Sequence, residues 1–245
     1  MKYIEVPALG LLAAVISGRQ NGVSRVCRID KYLAGKMARR SRHSAREIED
    51  RILRHLEEQP DSPELTYSAL GDMHLQASRK LLANLITTLN SASPDLTFDG
   101  VSPADFVRAG SLMDVAQAVN ARLADVDGAS LLTTLWSSID RAVGLKECDI
   151  FTFVGDQPEE DGGAPNLWSF NYFFVNRSRK EIVHFTCSCS PSAPSAPQDL
   201  TSSEEAEASL ASTSIASKAA ALLLPPSQDG EDATWDMEGD DEDAE

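Results

Sequence analysis

The chain has 245 residues, 42% of them hydrophobic, and a formal net charge of -16, which is enough apolar material for one large core or two small ones. Residues 190–245 carry fourteen Asp and Glu against the single Lys218, so residues 1–189 hold only -3 of that charge, and the acidity describes a tail rather than the partners of the folded part. Phosphate-cradling glycine loops, nucleophile elbows, HExxH and paired-cysteine motifs are all missing, which excludes the common enzyme classes, and no apolar run approaches the twenty or so residues needed to cross a bilayer.

The N-terminus lacks a basic region followed by an apolar stretch, so the chain is expected to be intracellular and soluble. After Pro7, a good first helical residue, Leu11, Leu12, Val15 and Ile16 predict a short helix ending near Gly18. Val23 to Leu33 mixes Val26, Cys27, Ile29 and Tyr32 with charges and predicts a strand. It runs into a basic cluster that holds Lys36, Arg39, Arg40, Arg42 and Arg46. From Ser44 to Glu58 the pattern is a charged helix, with Ser44 and Glu47 as a capping box, Glu47/Arg51 and Asp50/Arg54 one turn apart, and a narrow stripe of Ile48, Ile52, Leu53 and Leu56. Residues 59–77, with two prolines, read as a linker, and the segment from about 38 to 77 as a mobile interruption of the domain.

Three stronger helices follow. Ser78 is the expected cap of a run in which Leu81, Leu85 and Leu89 form one row beside Leu82 and Ile86; Ser111 caps another with Leu112, Val115, Ala116, Val119 and Leu123. The third runs from Ser130 through Leu132, Leu135, Trp136, Ile139 and Val143 to a stop at Gly144. Between the first two, Leu96 to Phe98 suggests a short strand. Cys148 to Val154 alternates Cys148, Ile150, Thr152 and Val154 with Asp149, Phe151 and Phe153, ahead of an acidic, glycine-bearing loop from Gly155 to Asn166.

Leu167 to Cys189 is the most informative stretch. Every second residue separates Trp168, Phe170, Tyr172 and Phe174 on one face from Leu167, Ser169, Asn171, Phe173 and Val175 on the other, the period of a pleated strand. Ile182, His184, Thr186 and Ser188 alternate in the same way with Val183, Phe185, Cys187 and Cys189. The intervening Asn176-Arg177-Ser178-Arg179-Lys180 is too polar for sheet, so the segment is a β-hairpin with a basic turn. Beyond Pro191 the chain is Ser, Ala, Pro, Asp and Glu, and is expected to be a disordered acidic tail. Trp235 with Met237 inside its acidic run resembles a short binding motif, with a merely solvating tail as the plainer alternative. The fold class is therefore α+β: a central antiparallel sheet of about five strands flanked by helices over residues 1–190, then the tail at 191–245.

Little here is suited to catalysis. Cys27, Cys148, Cys187 and Cys189 read as free buried thiols, and the Cys187-x-Cys189 pair has no second pair with zinc-site spacing. Of His43, His55, His74 and His184, only His184 falls in a core element, where a hydrogen-bonded structural role is expected. The carboxylates of Asp156 to Asp161 read as a solvated turn. No catalytic residue, metal or cofactor is expected. The Arg177, Arg179 and Lys180 turn suits an acidic partner surface or nucleic acid, though hairpin turns are commonly just polar. Ser41 follows Arg39-Arg40 and Ser44 follows Arg42-His43, the upstream basic pattern that basophilic kinases favour, so both are phosphorylation candidates.

Lys146-Glu147-Cys148-Asp149-Ile150, then Leu167 through Phe174, then Ile182-Val183-His184-Phe185 closely resemble the C-terminal signature of the Maf-type repressors of RNA polymerase III transcription, which are distinct from the leucine-zipper factors of similar name. Ser78-Arg79-Lys80-Leu81 through Thr88-Leu89-Asn90, with Pro94-Asp95 and Phe98, looks like the family's middle block. Met1-Lys2-Tyr3 with Arg28-Ile29-Asp30, Tyr32 and Lys36-Met37 looks like its N-terminal block. Residues 31–37 depart from the family's shorter Ser-Tyr-Ser-Cys-Lys-Met run and lack its cysteine.

The resemblance implies a non-enzymatic negative regulator that binds RNA polymerase III near its clamp and hinders recruitment to initiation factor IIIB, lowering transfer RNA and 5S RNA synthesis under stress. It further implies restraint by nutrient-responsive kinases, among them protein kinase A and TOR-pathway kinases, opposed by phosphatases, and shuttling between nucleus and cytoplasm. Arg28, Lys36, Arg177, Arg179 and Lys180 are the candidate partner contacts. Arg39, Arg40, Arg42 and Arg46 form the candidate localisation cluster, and Cys148, Asp149, Trp168, Phe170, Asn171, Tyr172, Phe173 and Phe174 carry the structural signature. Membrane association and direct nucleic-acid binding are not expected. The alternative reading is a non-enzymatic scaffold or adaptor with a different protein partner.

Overall fold

The structure is a computed structural model that describes residues 1–34, 39–60, 62–94, 96, 98, 100–126, 128–155 and 166–192, without the side chains of 39–44, 128 and 129. The expectations for Lys36, for the loop at 156–165 and for the tail beyond Ser192 fall outside the described residues.

In chain order the elements are β1 (Lys2–Ile4), α1 (Pro7–Ile16), β2 (Gly18–Gln20), β3 (Val23–Leu33), α2 (Arg39–Glu58), α3 (Pro63–Thr66), α4 (Gln76–Ala92), β4 (Phe106–Arg108), α5 (Leu112–Arg122), α6 (Gly128–Val143), β5 (Cys148–Phe153), β6 (Trp168–Asn176) and β7 (Glu181–Pro191). The strands form one antiparallel sheet in the order β1-β3-β7-β6-β5-β4, with β2 also pairing β3. This is the expected α+β fold, with seven strands among the described residues instead of about five. The additional strands β1, β2 and β4 are three residues each. They are too short to show an alternating period and form only because β3 and β5 offer backbone partners.

The sheet buries both faces. On one, Phe170, Phe174, Val183, Phe185 and Cys187 pack with Leu12 and Ile16 of α1, Val119 of α5, and Leu135 and Ile139 of α6. Trp136 meets Phe174 edge-on at 6.2 Å, so the four-ring face of β6 is covered as its composition requires. On the other face Phe151, Phe173, Val175 and Ile182 pack with Leu82, Leu85 and Ile86 of α4, which in turn carry α2 through Ala45, Ile48, Ile52 and Leu56. Burying each such side chain is worth roughly 1.5–3 kcal/mol, so α2 is held by its stripe despite its charged exterior.

Four local expectations need correction. The charged helix starts at Arg39 rather than Ser44. Its lead-in holds Arg39, Arg40 and Arg42, and arginine is a good helix former, so Ser44 lies inside the helix instead of capping it. Residues 59–77 are more than a connection: α3 and the turn after it place Leu65, Leu70 and Met73 in the core, because three apolar residues outweigh two prolines. Helix α4 starts at Gln76, with Leu75 at its cap position. Ser78 is instead buried against Gly71, whose φ of +105° and whose missing Cβ, 2.8 Å from Ser78 Oγ, both require glycine. Leu96 and Phe98 are not in a strand; Phe98 packs edge-on against Phe153 at 6.0 Å. Ser111, by contrast, caps α5 by accepting from Asp114 N at 3.1 Å, and Gly144 ends α6 with φ +70°.

Candidate partner-binding surface

The β6–β7 turn is fastened from beneath by Asn176, which is fully buried. Its Nδ2 donates to Val143 O at 2.9 Å and Glu147 Oε2 at 3.2 Å, while its Oδ1 accepts from Ser178 Oγ at 2.8 Å and Arg179 N at 3.0 Å. One amide thus ties the end of α6 to the turn. The turn closes with Lys180 in the left-handed region, φ 54°, a conformation disfavoured for a side chain with a Cβ.

Carboxylates hold some of the surrounding cations. Asp149 binds Arg108 through Oδ1 and Arg177 through Oδ2, the latter at 2.7 Å. Glu181 takes Lys31 at 2.8 Å and Arg179 at 3.0 Å. Lys31 also donates to Ala142 O at 2.7 Å, at the carbonyl end of α6, where a cation is favoured. Arg28 serves the opposite face in the same way: it donates to Ala92 O at the end of α4 and lies 3.4 Å from Asp30. Two cations of β3 therefore secure two helix ends, one on each side of the sheet.

Beside the turn lies an open groove of about 1110 Å³ between α2, α4 and the hairpin. Its floor takes in the edges of the buried Leu81, Val175 and Ile182 beside the polar Gln76, Asn84 and Asn176; its rim carries Arg46, Lys80, Arg177 and Lys180 against Glu49 and Glu181. Among the described residues no carboxylate lies within ion-pair distance of Arg46, Lys80 or Lys180. All three side chains are exposed. This combination of a partly apolar floor and free cations suits an acidic segment that carries a few large apolar side chains.

The structure brings Arg177 and Lys180 together with Arg46 at this groove. Arg179 turns to Glu181, and Arg28 is committed to the end of α4, paired in register with Thr186, five residues along β7 from the turn. Lys36 and the side chains of Ser41, Ser44, Arg39, Arg40 and Arg42 lie outside the described residues. Sequence reasoning missed Lys80 as a rim residue and Asp149 as the partner of two arginines. Lys80 sits in the middle block of the resemblance, which was the available signal; no periodicity pairs Asp149 with Arg108 and Arg177.

His184 is structural, as its position suggested. Its Nε2 is 2.7 Å from Asn171 Oδ1, its ring stacks on Phe173 at 4.6 Å, and burial first, then the charge of Arg28, hold its pKa down at about 3. All four cysteines are free. Burial pushes the Cys148 thiol up to about 12, and a hydrogen bond with Cys187, then burial, raises Cys27. Among the described residues no cluster of metal-ligating side chains occurs, and no helix is long and apolar enough to cross a membrane.

Residues 25–186 match the family model described as Maf1 regulator. The Dictyostelium discoideum repressor of RNA polymerase III transcription is 36% identical over 129 residues, covering 50% of this chain and 45% of that protein. The Schizosaccharomyces pombe repressor of RNA polymerase III transcription maf1 is 29% identical over 132 residues, covering 51% and 56%. The chain thus spans about half the length of these relatives. Among solved structures, citrus MAF1 in space group C 2 2 21 aligns with a TM-score of 0.57 at 25% identity, over 75% of this chain and 98% of that one. The family match runs from β3 into β7 and takes in both faces of the sheet and the hairpin turn, and the chain belongs to the Maf1 regulator family.

Proposed function

We propose that this chain represses transcription by RNA polymerase III, binding the polymerase and hindering its recruitment to initiation factor IIIB. Family membership and the names of the relatives support the general role. The observation that carries the binding step is the groove beside the hairpin turn, where Arg46, Lys80 and Lys180 stand unpaired, among the described residues, around a partly apolar floor. Fixed cations of one sign both steer an oppositely charged partner and add contacts once it is bound. The chain acts as a binding protein, without chemistry of its own.

Phosphorylation at Ser41 and Ser44 restrains it. Each phosphate adds about -1.5 to -2 charges at neutral pH within the run of Arg39, Arg40, Arg42 and Arg46, lowering the positive charge next to the groove. Ser41 belongs to the first turn of α2, where the helix dipole favours a phosphate. The same basic run serves as the nuclear localisation signal, so kinases and phosphatases set the distribution between nucleus and cytoplasm.

The test is co-purification of the full chain with RNA polymerase III from stressed and fed cells, with transfer RNA precursors quantified in parallel. Polymerase subunits should be recovered more from stressed cells, and Lys80→Glu with Lys180→Glu should reduce that recovery at least tenfold. Recovery of other proteins without polymerase subunits would instead identify an adaptor and overturn the proposal.

A further inference from the structure

The groove has a candidate occupant within the same chain. Asp229 to Glu245 carries ten carboxylates and no Lys or Arg, and it contains Trp235 and Met237 two residues apart. In an extended segment that spacing puts the indole and thioether on one face, with Asp236 and Glu238 on the other. The groove offers the complement chiefly in charge, with Arg46, Lys80 and Lys180 on its rim, above a floor where the edges of Leu81, Val175 and Ile182, each at most 6% exposed, meet the opening. We propose that in the free protein the acidic segment Asp229–Glu245 lies in the groove between α2, α4 and the β6–β7 turn, Trp235 and Met237 down, carboxylates toward the rim.

The geometry of attachment permits this. Ser192 is pinned beside β3 by donating its N–H to Gly22 O at 2.8 Å. Glu181, at the groove, is eleven residues back along β7, or about 36 Å at strand rise. From Ser192 to Asp229 the chain has 37 residues. A coil of that length has a root-mean-square span of about 33 Å, and fully extended it reaches more than about 110 Å. The tether thus matches the distance to be covered, the condition under which effective concentration is greatest. Each exposed charge pair contributes little alone, so the interaction is weak per contact, sensitive to salt, and displaceable by a better acidic ligand at the same rim.

This occupancy does not depend on which protein the surface binds. It predicts that any partner using the groove must first displace the tail, and that shortening the tail raises partner affinity without a new contact.

The experiment uses the full chain labelled with 5-fluorotryptophan, which gives three fluorine resonances from Trp136, Trp168 and Trp235, with Trp235→Phe assigning the third. At about 0.02 M salt the Trp235 resonance should be displaced from that of a free peptide of residues 229–245. It should return to the free-peptide position at about 1 M salt, where the screening length falls to about 3 Å. Lys80→Glu with Lys180→Glu should return it at low salt, while Trp136 and Trp168 stay in place as the report of an intact fold. Should the double variant not fold, the salt titration of the unmodified chain decides. A Trp235 resonance at the free-peptide position in low salt, or one displaced equally in the double variant, would overturn the assignment. So would a displacement that vanishes on dilution, since the tail would then occupy a second copy.

Discussion

His184 and Asn171 face each other across β6 and β7, imidazole Nε2 to amide Oδ1 at 2.7 Å, with His184 only 2% exposed. Because Asn171 presents its carbonyl oxygen, Nε2 carries the proton and the ring is neutral; Nδ1 has no hydrogen-bond partner among the described residues. Protonation would place a second cation in a dry site near Arg28.

Stability should therefore fall on acidification. His184 has a folded pKa of about 3 against 6.5 unfolded; below 6.5 the unfolded chain binds the extra proton, so stability is complete above that value and is lost progressively toward 3. The loss between pH 6.5 and 5 is about 2 kcal/mol. Asp30, opposite His184 in register, has a carboxyl raised by burial and works in the reverse sense. Denaturant melts at pH 7 and 5 should show the loss in the native chain and its near absence in His184→Asn. Equal slopes would count against this role.

Asn176→Ala should cost about 1–3 kcal/mol in chemical denaturation, since it strands Val143 O and two groups of the turn. The loss should be accompanied by increased amide exchange at Ser178 and Arg179.

Phe174→Ala should cost about 3–5 kcal/mol, because its fully buried ring closes the face under α6 and meets Trp136. Thermal unfolding measures this, and a quenched or shifted Trp136 emission in the variant would locate the damage.

Asp149→Asn should change stability by less than about 1 kcal/mol, as both arginines it holds are at least half exposed. Its effect should appear in binding: freeing Arg108 and Arg177 makes association with an acidic partner more dependent on salt, measurable as a steeper slope of log affinity against log salt.

The native protein should react slowly with Ellman's reagent, and four thiols should appear on unfolding. Cys27, Cys187 and Cys189 are buried and closed to the reagent, and Cys148 is raised to about 12, so its own thiolate is scarce near pH 8. Rapid labelling of two or more thiols in the folded state would contradict this packing.

The sequence by itself determined the hairpin, the long strand β3 with both its ends, the helices α1, α5 and α6 within two residues, and the α+β class, because alternation of rings and the 3.6-residue apolar period are local consequences of burial on one side. It also marked the basic turn and, separately, the basic cluster that ends at Arg46, without relating the two. Only the tertiary structure decided which cations are occupied. Strand parity places Arg28 and Lys31 on opposite faces, but not over the last carbonyls of α4 and α6; that depends on where two distant helices stop. Likewise Lys80, Arg46 and Lys180 come from three segments and become one rim only when α2 and α4 pack against the β6–β7 turn. A charge's availability depends on its neighbours in space, and those are set by packing between segments far apart in the chain.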